Sequence, residues 1–252
     1  MFIHERRYKI VEFLNKVEKA AIEEIMENFD ISKSTARRDL IYLETRNLIK
    51  RTHGGALKNK FFEYEFTLNE KRDLNLDKKK KIAQIAKKFI QDEDVIYISG
   101  GTTTLELAKI LYGFKDLVVF TNAINILLEL INKDIKIRLL GGNFRKRTFS
   151  MVGQDTIDQM KRYNFKKSFI GANGITVEEG ITTPNELEAK VDREVVLRSK
   201  ETFLLADYSK FGAVAFSVIC RIDEVDYIIT NKEINPNLVK RIKNKNVKVI
   251  TE

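Results

Sequence analysis

The chain of 252 residues has a single cysteine, Cys220, and only two histidines. One thiol cannot close an internal disulfide, and so few soft ligands do not make a zinc cluster, although carboxylate sites for magnesium stay open. Long apolar runs are also missing. The longest stretch without a charged residue, Leu117 to Leu128, has 12 residues and contains Thr121, Asn122 and Asn125, too short and too polar for a bilayer span. Met1 to Arg7 turn charged at once and carry no apolar signal-peptide core, so the expected location is the cytoplasm. What remains, 43% hydrophobic and 32% charged, is the composition of a folded globular protein, with enough length for two domains of unequal size.

The net charge of +9 is unevenly placed. Residues 1–32 sum to −2, residues 33–60 to +6, and the remaining 192 residues to +5. Lys33, Arg37, Arg38, Arg46, Lys50, Arg51, Lys58 and Lys60 face only Asp39 and Glu44 in that middle segment. Such a concentration fits a polyanion, because each Lys or Arg placed on a phosphate releases condensed counterions. A solvated basic face has the same charge, so pattern must separate the two.

Ile10, Leu14 and Val17 recur at helical spacing and predict a first helix over about Ile3 to Lys16. A second is expected from Ala20 to Asn28, then a turn at Asp30 and Ile31. Ser32 is placed to cap a third helix, Lys33 to Arg46, with Ala36, Leu40 and Leu43 facing inward. Lys33, Ser34, Thr35, Arg37 and Arg38 then point outward, the arrangement that presents side chains to a DNA major groove. Leu48 to Leu57 reads as two short strands around a Gly-rich turn, a wing for the phosphate backbone. A helical hairpin of a protein-binding module shares the apolar stripes but not the Ser-Thr-Arg-Arg surface.

The polar span from Asn59 to Lys81 reads as a linker that becomes helical near Lys78. Beyond it short strands alternate with helices, the pattern of a mostly parallel sheet covered on both faces. Ligands of such sheets collect at the carboxyl ends of the strands. The sequence puts Ser99-Gly-Gly-Thr-Thr-Thr104, Thr121-Asn122, Gly141-Gly142-Asn143, Gly171-Ala-Asn-Gly174 and Asp207-Tyr-Ser-Lys210 at five such ends. The first opens a helix, so backbone N–H groups and hydroxyls converge where an anion can sit; it lacks the Gly-Lys-Ser/Thr ending of a Walker loop. Arg145, Lys146 and Arg147 follow the third end and read first as an exposed basic loop, with closure over a phosphate as the alternative.

Ser32-Lys-Ser-Thr-Ala-Arg-Arg-Asp-Leu40 with Leu43-Glu44, followed by Arg51-Thr-His-Gly-Gly-Ala56, resembles the N-terminal signature of DeoR-family bacterial transcriptional regulators. Gly101-Thr-Thr-Thr-Leu-Glu-Leu-Ala108, Thr121-Asn122, Leu140-Gly-Gly142, Val152-Gly153 and Ala206-Asp-Tyr-Ser-Lys-Phe-Gly212 resemble that family's sensor domain, in order along nearly the whole chain. The resemblance implies a winged helix-turn-helix repressor whose second domain, related to ribose-phosphate isomerase, senses a sugar phosphate. It implies phosphate held by Thr102 to Thr104 and Lys210, with Asp207 and Asn122 orienting the sugar. The isomerases carry Asp-Gly-Ala-Asp-Glu where this chain has Ile170-Gly-Ala-Asn-Gly174, and neither Ile170 nor Asn173 can exchange a proton near neutral pH. Glu186 and Glu188 lie in the region of the isomerase base, without partners that would make turnover.

The expected organisation is therefore an α/β protein: a winged helix-turn-helix domain over 1–57, a linker over 58–80, and a larger α/β sensor domain with a mostly parallel sheet over 81–252. DNA binding is assigned to Ser32, Lys33, Ser34, Thr35, Arg37, Arg38, Arg51 and His53. Effector binding is assigned to Ser99, Gly101, Thr102, Thr103, Thr104, Thr121, Asn122, Gly142, Arg145, Asn173, Asp207 and Lys210. The expected partners are operator DNA, a phosphorylated sugar such as a fructose phosphate, and a second copy in a homodimer or higher homo-oligomer. No cofactor, metal, membrane or catalytic residue is expected; a sugar-phosphate isomerase with an appended DNA-binding domain is the competing reading.

Overall fold

A computed structural model describes residues 3–45, 48–58 and 65–251, and the chain divides into two compact units, Met1–Leu74 and Asn75–Glu252.

In the first unit, helices α1 (Ile3–Val17), α2 (Ile22–Phe29) and α3 (Lys33–Thr45) enclose Ile10, Leu14, Ile25, Ala36, Leu40 and Leu43, all buried. Strands β1 (Lys19–Ala21), β2 (Ile49–Thr52) and β3 (Gly55–Lys58) form an antiparallel sheet in the order β1-β3-β2. The expected second helix therefore loses its first two residues: Ala20 pairs with Ala56 in the sheet, and α2 starts only at Ile22. Helical periodicity does not see that exchange, because the buried alanine satisfies both patterns. Gly55 is required where β3 passes β1, since a Cβ there would lie 2.1 Å from the Ala20 carbonyl oxygen.

A short helix, α4 (Leu68–Arg72), capped by Thr67, and α5 (Leu76–Lys87) occupy much of the expected linker. The correction has a plain cause: Leu68 and Leu74 are buried, and α5 buries Ile82, Ala83 and Ala86 along one stripe despite its lysines. Residues 59–64 of that span lie outside the described residues, as does Arg46 at the expected end of the third helix.

The second unit is built on seven parallel strands in the order β15-β14-β12-β9-β4-β5-β6, namely β4 (Val95–Ile98), β5 (Val118–Thr121), β6 (Lys136–Leu139), β9 (Phe165–Ile170), β12 (Ser199–Leu205), β14 (Tyr227–Thr230) and β15 (Lys248–Thr251). Alternation along the strands divides the core. Ile96 and Ile98 join Phe169, Phe203 and Leu205 under α5, α6 (Thr102–Lys109) and α7 (Ile124–Leu130), while Tyr97, Ile170 and Leu204 face α8 (Gln154–Met160), α9 (Glu186–Arg198) and α10 (Pro236–Lys243). Phe203 stacks between Phe169 and Tyr227, at centroid distances of 5.0 and 4.4 Å. Each such buried ring contributes about 1.5–3 kcal/mol of transfer free energy.

Two antiparallel additions escape the reading by alternation: the hairpin β7 (Asn143–Arg145) with β8 (Ser150–Val152), and the small sheet β10 (Gly174–Thr176), β11 (Gly180–Thr183) and β13 (Ser217–Cys220). At the amino end of the large sheet, Asp94 is fully buried between Lys166 and Lys167, each 2.6 Å away. Burial pushes its carboxyl upward, but the two lysines and the Gln91 backbone N–H together hold it below the usual range.

Candidate functional site

The residues expected to face DNA are set out by α3 and the β2–β3 turn. Ser32 caps α3: its Oγ accepts from the Thr35 backbone N–H at 3.3 Å and lies 3.0 Å from both the Ser34 and Thr35 hydroxyls. With Ala36, Leu40 and Leu43 facing inward, Lys33, Ser34, Arg37 and Arg38 are exposed and Thr35 is half-buried. Lys33 reaches Glu23 of α2 at 3.3 Å, and Arg51 of β2 lies 3.5 Å from Glu44. Both are pairs in water, weak enough for a phosphate to displace. His53 and Gly54 form the exposed tip of the wing.

One residue behind this surface registers in the sequence only as a charge. Asp39 is fully buried, and its two carboxylate oxygens accept from Arg6 Nε at 2.6 Å and Arg7 Nε at 2.7 Å. The Arg7 guanidinium also lies 3.6 Å from the centre of the Tyr42 ring. α1 is thus clamped to the inner side of α3, which fixes the helix that carries Arg37 and Arg38. An Asp following two arginines in a polar helix gives no sequence signal of that burial.

The carboxyl ends of β4, β5, β6, β9 and β12 lie along one edge of the parallel sheet, and the expected effector residues are distributed along it. Gly101 precedes α6, whose first turn holds Thr102, Thr103 and Thr104. The Thr104 hydroxyl is buried and has no hydrogen-bond partner, an arrangement that costs stability unless something else supplies one. A Cβ at position 101 would come within 3.0 Å of that hydroxyl, and one at position 100 within 3.2 Å of Ala123, so both glycines keep the approach to α6 clear. Ser99 Oγ accepts from the Gly171 backbone N–H at 3.3 Å, joining the β4 end to the β9 end.

Thr121 and Asn122 stand at the β5 end with their polar atoms engaged inside the protein. The Thr121 hydroxyl donates to the Ile98 carbonyl and accepts from the Ala123 N–H; Asn122 accepts from the Tyr97 hydroxyl at 2.8 Å and donates to the Met151 carbonyl at 2.7 Å. Gly142 has φ 146° and packs so closely that a Cβ would meet the Thr156 hydroxyl at 2.0 Å, so its role is to let the chain pass. Asn173 accepts from the Thr183 hydroxyl at 3.4 Å.

Arg145 reaches across to α9, donating to Glu188 at 3.1 Å; Thr148 and Ser150 donate to the same carboxylate. Sequence spacing does not reveal this knot, since its members lie 38 to 43 residues apart. Asp192, one helical turn after Glu188, is pushed well above the usual carboxylate range by burial and then by the Glu188 charge. The Tyr97 phenol is raised well above its usual range by burial and by Asp192.

At the β12 end Asp207 is almost fully buried, and its Oδ1 accepts from the Ser209 N–H, the Ser209 hydroxyl and Asn75 Nδ2. Burial raises this carboxyl, but Lys210, Ser209 and Lys79 hold it below the ordinary value, so it is an anion at neutral pH. Lys210 closes the single 3-10 turn that follows. Among the described residues, no group of three or more His, Cys, Asp or Glu could hold a metal ion, and no helix is long and apolar enough to cross a membrane.

Comparison with known proteins joins the two units. The sequence profile of the DeoR-like helix-turn-helix domain matches residues 6–61, and that of the DeoR C-terminal sensor domain residues 74–232. The HTH-type transcriptional regulator FruR of Bacillus subtilis is 38% identical over 92% of this chain and 93% of its own. The HTH-type transcriptional regulator GlpR of Haloferax volcanii is 34% identical over 98% and 96%, and a lactose phosphotransferase system repressor of Staphylococcus epidermidis 32% identical over 95% and 95%. Among solved structures, ribose 5-phosphate isomerase A of Methanocaldococcus jannaschii aligns at 17% identity and a TM-score of 0.41 over 54% of this chain, which spans about half (55%) of the isomerase. These relatives are named as regulators or a repressor, and each aligns over at least 92% of both chains. The chain belongs to the DeoR family of helix-turn-helix transcriptional regulators.

Proposed function

We propose that this regulator is a cytoplasmic repressor of a sugar-utilisation operon whose operator binding is controlled by a phosphorylated sugar. The observation that carries this reading is the buried, unpartnered Thr104 hydroxyl in the first turn of α6, beyond Gly100 and Gly101, at the strand edge that also carries the Asp207 anion and Lys210. A helix N-terminus with free donors suits a phosphate; a carboxylate suits sugar hydroxyls. Ser99, Gly101 and Thr102 to Thr104 with Lys210 hold the phosphate, and Asp207 orients the sugar. Thr121, Asn122, Gly142, Arg145 and Asn173 form the surrounding wall. Fructose phosphates are the first candidates, from the resemblance of the Thr183-Pro184 and Asp207 to Gly212 stretches to regulators of fructose operons.

A single winged helix reads one short half-site, so the protein works as a homodimer or higher homo-oligomer on repeated half-sites about one helical turn apart or a multiple of it. A thermal-shift screen against fructose 1-phosphate, fructose 6-phosphate and other sugar phosphates tests the effector. A ligand at a hundred times its Kd adds about 2.7 kcal/mol of stability. If no sugar phosphate raises Tm, the effector reading fails; if one is turned over, the isomerase reading returns.

A further inference from the structure

We infer that Asn75 is the element through which the effector site acts on operator binding, by a hydrogen bond to Asp207 that a bound sugar displaces. This rests on the reading of Asp207 as a sugar-orienting carboxylate. Asn75 is the first residue of the sensor unit and directly follows Leu74, the last residue of the DNA-binding unit. Its backbone has φ 52° and ψ 33°, the left-handed region that Asn tolerates better than most residues but that still needs support. Support comes from two sides: its side-chain Nδ2 donates to Asp207 Oδ1 at 2.9 Å across 132 residues of sequence, and its carbonyl accepts from the Lys79 N–H at 3.0 Å.

The first turn of α5 is fastened to the same strand ends by further contacts. Lys78 pairs with Glu233 and lies 4.6 Å from the Tyr208 ring, and its carbonyl accepts from Asn231 Nδ2 at 3.3 Å. The torsions of Asn75 thus link a well-anchored helix to the chain that leads into the other unit.

Asp207 Oδ1 already receives three donors, more than its two lone pairs accommodate well. Two of them come from Ser209, inside the same turn, and are held there by chain geometry. The third, Asn75, comes from outside it. A sugar hydroxyl that donates to this oxygen therefore displaces Asn75 before it displaces Ser209, and the left-handed conformation loses one of its supports. Breaking the Asn75 bond costs the sugar part of its affinity, and because linkage is reciprocal the factor by which the sugar changes operator affinity equals the factor by which operator DNA changes sugar affinity.

The test uses the full-length protein with Asn75→Gly, which removes the amide while leaving left-handed torsions accessible, and Asn75→Ala, which removes both. Operator affinity is measured with and without fructose 1-phosphate and fructose 6-phosphate, and their binding is measured separately by calorimetry. Each variant without ligand is expected to show the operator affinity of the ligand-saturated wild type. Their response to ligand should flatten to less than twofold where the wild type changes by about 5–150-fold, the usual range of such couplings. They should also bind the sugar phosphate more tightly than wild type. Variants that respond like wild type overturn the relay, even though the effector reading stands. If neither sugar binds wild type, the choice of fructose phosphate fails, and the ligand-free comparison still decides the relay: operator affinity shifted at least fivefold supports it, and unchanged affinity overturns it.

Discussion

Arg7 and Asp39 meet at 2.7 Å inside the DNA-binding unit, with 10% and 1% of their side chains exposed, and the pair joins the first helix to the back of the helix that carries Arg37 and Arg38. With Arg6 on its other oxygen, Asp39 balances two guanidinium groups. Asp39→Ala is expected to lower the stability of this unit by about 3 kcal/mol, the lower end of the range for breaking a buried pair, because both arginines keep some contact with water. Urea unfolding of the full-length protein should show an earlier transition and loss of operator binding. An unchanged transition would show the clamp to be dispensable.

Arg37 and Arg38 occupy successive exposed positions of α3 and point in different directions. One is expected to contact a base edge and the other the phosphate backbone. Replacement of the base reader by Ala should cost about 1–3 kcal/mol and relax preference at one operator position. Replacement of the other should weaken all sequences alike and reduce the salt slope by about one. Gel-shift titrations at three salt concentrations on wild-type and scrambled operators distinguish the two. If neither variant loses affinity, α3 is not the reading helix.

Thr104→Val exchanges a buried hydroxyl without a partner for a methyl group of similar shape. The ligand-free protein should become more stable, by about 1 kcal/mol, since the penalty of an unsatisfied buried group is removed. The same change should abolish the thermal shift caused by a sugar phosphate, as should Lys210→Ala. Opposite signs with and without ligand are the signature; a Val variant that keeps the full ligand shift would move the phosphate elsewhere.

Asp192 is protonated in the folded protein well above the pH at which the unfolded chain gives up that proton, about 4. The folded state therefore binds more protons over that interval. Its stability falls as pH rises from about 4 toward the raised folded pKa, by up to ~1.4 kcal/mol per unit. Asp192→Asn keeps the shape without the proton, so its Tm should match wild type near pH 4 and exceed it at pH 8. Equal values at both pH values would place the carboxylate in a better-solvated setting than its burial and the Glu188 charge imply.

Residues whose role follows from local pattern were legible in the sequence: the Ser32 cap, the Ala36-Leu40-Leu43 face and the glycines before α6. Residues whose role depends on distant partners were not. Asp39 needs Arg6 and Arg7 from another helix, and Glu188 needs Thr148 and Ser150 from a hairpin whose strands have only three residues each. Thr121 and Asn122 lie at the expected strand end, yet hydrogen bonds to Ile98, Tyr97 and Met151 occupy them. A sequence shows which groups are available and leaves open which neighbours have already claimed them. Asn75 shows the same limit most clearly, since its partner Asp207 is 132 residues away.

The seam between β4 and β9 in the middle of the large sheet bears on synthesis. Asp94 beside the first strand and Lys167 in the second are 73 residues apart. At translation rates of about 5–20 residues per second, roughly 4–15 s pass before β9 can reach β4. During that time β4, β5 and β6 form a half-sheet whose inner border is an unpaired edge, the kind that recruits neighbouring chains. The DNA-binding unit, complete by Leu74, has no such wait. Nascent chains are therefore able to complete the first unit before the sheet of the second can close.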